Sequence, residues 1–149
     1  MHILLCVGLL VLHGSLCAQK PLVKGLQQKE KPFLFTALPD RFDCNATELH
    51  KIINAAPGEP ISAQLSDQFH VTGKVIYKKQ TQPGVISINA RLTNYHDALF
   101  NISISVLANN TTNIQGRIIH PNYGDVIILA REKDRYYFKK ILQRLYMTE

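Results

Sequence analysis

The chain has no tryptophan and only three cysteines in 149 residues. Two of them, Cys6 and Cys17, lie in a leading apolar stretch, so a chain that has lost that stretch keeps Cys44 alone and has no internal disulfide. Acid is also scarce, with 11 Asp and Glu against 17 Lys and Arg and a net charge of +6. No apolar run reaches the ~20 residues that carry a helix across a bilayer, so no transmembrane span is expected. The chain lacks a glycine-rich phosphate loop and a Gly-x-Ser-x-Gly elbow. It also has no His-x-His or His-x-x-x-His spacing to seat a metal on one face. These gaps argue against nucleotide, esterase and metal chemistry, and no cofactor is expected.

What remains is ordinary globular material, 46% apolar and 19% charged. Residues 1–18 contain no Lys, Arg, Asp or Glu, and the run from Ile3 to Leu12 has the length of a signal-peptide core. His13-Gly14-Ser15-Leu16-Cys17-Ala18 suits cleavage after Ala18, which predicts a secreted or periplasmic protein. Lipidation at Cys17 is disfavoured, because Leu16 stands where such signals place a small residue. Residues 19–32 hold Lys20, Lys24, Lys29 and Lys31 against Glu30, the composition of a solvated basic tether. Residues 33–149 then form a single domain, large enough to bury a core without a bridge.

Within that domain Phe33-Leu34-Phe35 reads as a short strand or a plug, and Pro39-Asp40-Arg41 as a turn into a helix. Asn45 caps that helix, with Glu48 completing a capping box. Leu49, Ile52, Ile53 and Ala56 supply its apolar stripe, and Pro57-Gly58 stops it. From Ile61 the period is two. Phe69, Val71, Gly73, Val75 and Tyr77 fall on one face, with His70, Thr72, Lys74, Ile76 and Lys78 on the other. Further strands are expected near 85–92, 99–107, 114–119, 126–130 and 135–139, and Ile141, Leu142 and Leu145 suit a short closing helix. Short turns leave no room for parallel crossovers. The expected fold is α+β and mainly β, with one N-terminal helix packed on an antiparallel six-to-seven-strand meander, a barrel or half-barrel.

The run Phe33-x-Phe35-Thr36-Ala37-Leu38-Pro39-Asp40-Arg41-Phe42-Asp43-Cys44, with Gly116-Arg117-Ile118-Ile119-His120-Pro121-x-Tyr123-Gly124-Asp125 and Tyr136-Tyr137-Phe138-Lys139-Lys140, resembles small secreted proteins of Bacteroidota type. That resemblance implies export and supplies no activity. A looser likeness links the strands from Val71 to Leu129 to the β-rich prodomains of secreted metallopeptidases. It implies an inhibitor or chaperone partner.

Cys44 sits at the first helical turn, where backbone N–H groups favour a thiolate. Asp43 beside it opposes that, and no signature surrounds it. His50, His70, His96 and His120 are 20 to 26 residues apart, one per element. Asp40, Asp43, Glu59, Asp67, Asp97 and Asp125 fall mostly at turns and helix starts, where carboxylates serve as caps. Asn45, Asn101, Asn109 and Asn110 each begin an Asn-x-Ser/Thr sequon.

The positive charge concentrates at the two ends, with a middle that sums to zero. Arg135, Tyr137, Lys139 and Lys140, with the loop carrying His120, Tyr123 and Asp125, form the candidate binding surface. The function expected is a non-enzymatic binding module, with a secreted or envelope protein or an anionic surface polymer as partner and no nucleic acid. The alternatives are the peptidase partner and a hydrolase whose site gathers at least three of these histidines, Cys44 and the turn carboxylates.

Overall fold

A computed structural model describes residues 30–107 and 111–146. The expected signal, most of the tether, Asn109 and Asn110 lie outside them. Eight antiparallel strands form one curled half-barrel sheet: β1 (Arg41–Asp43), β2 (Pro60–Ser66), β3 (Phe69–Gln82), β4 (Val85–Leu92), β5 (Ala98–Val106), β6 (Thr112–Ile119), β7 (Asp125–Glu132) and β8 (Arg135–Leu142). Their order in the sheet is β1-β8-β7-β6-β5-β4-β3-β2. Helix α1 (Ala46–Asn54) lies between β1 and β2, and a second short helix, α2 (Gln143–Tyr146), ends the described chain.

Two features of the expected architecture need correction. The sheet has eight strands rather than six or seven, and a strand precedes α1; the short closing helix expected at the carboxyl end is present as α2. The three residues of β1 are too few to show a period. Pairing with β8, Phe42 opposite Phe138, makes them a strand. Ile141 and Leu142 complete β8, so α2 begins later than their apolar pattern suggests.

Asn45 does cap α1, its Oδ1 accepting from the N–H groups of Thr47 at 3.0 Å and Glu48 at 3.2 Å. Glu48 reaches forward instead of back. Its carboxylate accepts from Lys51 Nζ at 2.6 Å and from the N–H of Gln64 on β2 at 3.3 Å. Lys51 first, then Gln64, holds that carboxyl below its usual range. The helix buries Leu49, Ile52 and Ile53. Just before it, the chain steps across the ends of the sheet: Cys44 N–H donates to Tyr136 on β8, and Asn45 N–H to Leu65 on β2.

The core fills the concave side. Phe35, Tyr95, Phe69, Phe42, Phe138 and Phe100 form a chain of ring contacts, with centroids 5.3 to 6.4 Å apart in tilted and edge arrangements. A fully buried side chain of this size contributes about 1.5–3 kcal/mol. Phe35, Phe69, Phe100 and Phe138, fully buried, together contribute more than the roughly 2–4 kcal/mol of a typical disulfide.

Alternation fails at three register shifts, in β2 after Gln64 and in β3 after Val75 and after Gln80, and the one after Val75 bears most on the outer face. The β3–β4 register shifts between Val75 and Tyr77, leaving Ile76 as a bulge residue. Beyond it the faces exchange. Tyr77, expected inside, is exposed, and Lys78, expected outside, turns inward. Lys78 Nζ donates to the carbonyl of Ile53 at 2.7 Å, placing a cation at the negative end of α1.

Candidate functional site

The loop from His120 to Asp125 and the segment before β1 lie at one end of the sheet. Asp125, proposed above as part of a binding surface, is 3% exposed. Its Oδ1 and Oδ2 accept from the N–H groups of Leu34 and Phe35, both at 2.8 Å. Lys140 is similarly committed, donating to the carbonyl of Leu38 at 2.6 Å and to that of Phe35 at 3.4 Å, with Asp40 Oδ1 at 3.5 Å. Both side chains clasp residues 33–40 across the sheet end, where Phe35 and Leu38 are buried. Lys31 and Pro32 join this clasp, Lys31 Nζ donating to Pro121 and Gly124 N–H to Pro32. Residues 33–35 are therefore the plug.

Tyr123 stands between two histidines, with ring centroids 5.8 Å from His96 and 4.9 Å from His120. His50 is exposed on α1, and His70 Nε2 meets Ser62 Oγ at 3.0 Å. Cys44 is packed against the core, and burial pushes its thiol up to about 12. The thiol stays protonated near neutrality and is no nucleophile there. Among the described residues no three His, Cys, Asp or Glu gather as metal ligands. Of the sequons, Asn45 is held as a cap. Asn101 donates to Asn89 Oδ1 at 2.8 Å.

Arg135 and Lys139 are exposed on β8, and Tyr137 between them carries the Arg41 guanidinium 3.8 Å above its ring. Arg41 also ion-pairs with Glu132. This hydrogen bond raises the guanidinium further above its already high range. An open groove of about 810 Å³ runs beside these residues, with Phe33 and Leu145 at its rim.

The neutral middle of the sequence is sorted in space. Strands β2 to β6 carry Lys74, Lys78, Lys79, Arg91 and Arg117 and no Asp or Glu, because the acids of that stretch, Asp67 and Asp97, lie in turns. Register places Lys74 opposite Arg91 on the outer face, and aligns Asn89, Asn101, Arg117, Ile128, Lys139 and Arg41 in one row across it. Lys79 and Arg135 share that face. Of the strand acids only Asp43 and Glu132 face the same way. The charge is thus not confined to the two ends, as the sequence suggested; it covers the convex side of the sheet. The signal was present in the strand parity of each base, but the bulge at Ile76 hid it for β3. Within the row, Asn101 Oδ1 accepts from Arg117 Nε at 3.5 Å. No protein family, curated protein or solved structure matches this chain.

Proposed function

We propose that the protein is an exported, non-enzymatic binding module that holds an anionic surface polymer on the convex face of its sheet. The observation that carries this reading is the sorting of charge, with seven outward cations on the strands against two outward acids, one of them neutralised by Arg41. Such a face concentrates anions by a field that salt screens over ~10 Å near 0.1 M. The candidate surface read from the sequence contributes Arg135, Tyr137 and Lys139 to it, while Asp125 and Lys140 hold the scaffold. Sensors coated with an anionic and with a neutral polysaccharide test the proposal. Binding to the first alone, reversed by salt, supports it. Equal binding to both, or to neither, contradicts it.

A second reading, a peptidase inhibitor or chaperone, draws on one feature. β3 runs eight residues past its last pair with β2 at Lys74, and after Val75 the edge facing away from β4 has no backbone partner among the described residues. Such an edge accepts an extended segment as an added strand. Indifference across a panel of secreted peptidases would remove this reading.

A further inference from the structure

The outward cations near the row fall at three stations: Arg91 with Lys74 opposite it, Arg117, and Lys139 with Arg41 beside it, the last paired with Glu132. Arg91, Arg117 and Lys139 stand on β4, β6 and β8, every second strand of the sheet. With strands ~4.8 Å apart and ~3.4 Å of rise per residue, Arg117 is about 10 Å from Lys139 and about 12 Å from Arg91 at the backbone. The strand between Arg91 and Arg117 contributes Asn101, bonded to Asn89, so neutral amide groups separate the charges. Ser87 and Ser103, opposite each other one position further along the same face, extend this neutral polar ground.

Resting on the anionic-polymer reading above, we infer that the ligand is a linear acidic polysaccharide whose carboxylates or sulfates are separated by neutral sugars. Each strand of duplex DNA presents a phosphate every ~3.4 Å of helix axis, denser than these three stations. A single strand rewards stacking platforms. On this face the ring of Tyr137 is already covered by Arg41. Hydroxyl-bearing units between the charges match the amide and hydroxyl groups of Asn89, Asn101, Ser87 and Ser103. Arg117, aimed by Asn101, is the central charge contact, and Arg91 and Lys139 flank it.

The test is isothermal titration with hyaluronan oligosaccharides of increasing length, which carry one carboxylate per disaccharide. Polygalacturonate, polyphosphate and oligothymidylate serve as competitors at one ionic strength. Affinity should rise until the oligosaccharide spans the distance from Arg91 to Lys139, about 20 Å on the same strand spacing, and then level off. R91Q, R117Q and K139Q should each weaken it about fivefold to tenfold, and K51Q, on α1, should not. R91Q with K139Q carries the test if R117Q, part-buried, does not fold. Tighter binding of polyphosphate or oligothymidylate, or no length dependence, overturns the polysaccharide inference and leaves the basic-face reading standing. Failure of all four polymers to bind, or binding unchanged by the variants, overturns both.

Discussion

Phe35 and Asp125 lie ninety residues apart in sequence and meet through a buried hydrogen bond of 2.8 Å, from the Phe35 N–H to Asp125 Oδ2. With the matching bond from Leu34, this one carboxylate fastens residues 33–40 to the start of β7. Asp125→Ala removes both acceptors and leaves two N–H groups unpaired, one of them buried. Each costs about 1–3 kcal/mol, so a loss of about 2–4 kcal/mol is expected in urea unfolding. Asp125→Asn keeps one acceptor and should lose about half of that.

The approach of β3 to β4 depends on Gly73. A Cβ there would stand 1.9 Å from the carbonyl oxygen of Arg91, which is backbone and unable to rotate away. Gly73→Ala should therefore reach the upper end of the overpacking range, about 3 kcal/mol. Gly84 makes the comparison. It has φ +75° but open space around it, so Gly84→Ala should cost about 1–2 kcal/mol from backbone conformation alone. Thermal melts of the two variants would show the ranking.

The elements legible in the sequence were those whose signal is local. Asn45 and the stripe Leu49, Ile52, Ile53 defined α1, and the alternation of Phe100, Ile102 and Ile104 against Asn101 and Ser103 defined β5. What was hidden depends on contacts distant in sequence. β1 exists because Phe42 pairs with Phe138. Asp125 looked like a turn carboxylate because nothing local shows that Leu34 and Phe35 reach it. The candidate site lost Asp125 and Lys140 to such contacts with residues 33–40, while on β3 the bulge at Ile76 exchanged the faces of Tyr77 to Gln80. Lys78 left the surface and Tyr77 joined it.

Cys44 carries a pH dependence of definite sign. Its thiol rises from an ordinary value of 9.0 to about 12 because it is buried. The unfolded chain therefore releases this proton first, and stability falls as pH climbs from about 9 towards 12. Below 9 both states hold the proton and the residue contributes no slope. Cys44→Ala should flatten the alkaline decline of the melting temperature. Iodoacetamide at pH 8 should label the native protein slowly and the urea-unfolded protein fast, and equal rates would contradict the burial.

The cap of α1 gives a smaller, local effect. Asn45→Ala leaves Thr47 and Glu48 N–H groups to water and should cost about 1 kcal/mol. Asn45→Asp keeps the acceptor and should match wild type or exceed it, since a negative charge suits a helix start. Paired denaturant curves would read both.

The central claim is that the convex face of the sheet, and not net charge as such, binds an anionic polymer. Its most direct test is the salt dependence of binding to a labelled anionic polysaccharide, measured for the wild type, for R91Q/K139Q and for K51Q/K133Q. The two variants lose the same charge, from the convex face in the first case and from α1 and the β7–β8 turn in the second. R91Q/K139Q should lower the slope of log K against log salt by about 2, one for each cation removed, while K51Q/K133Q keeps the wild-type slope. Equal slopes for the two variants would contradict the account.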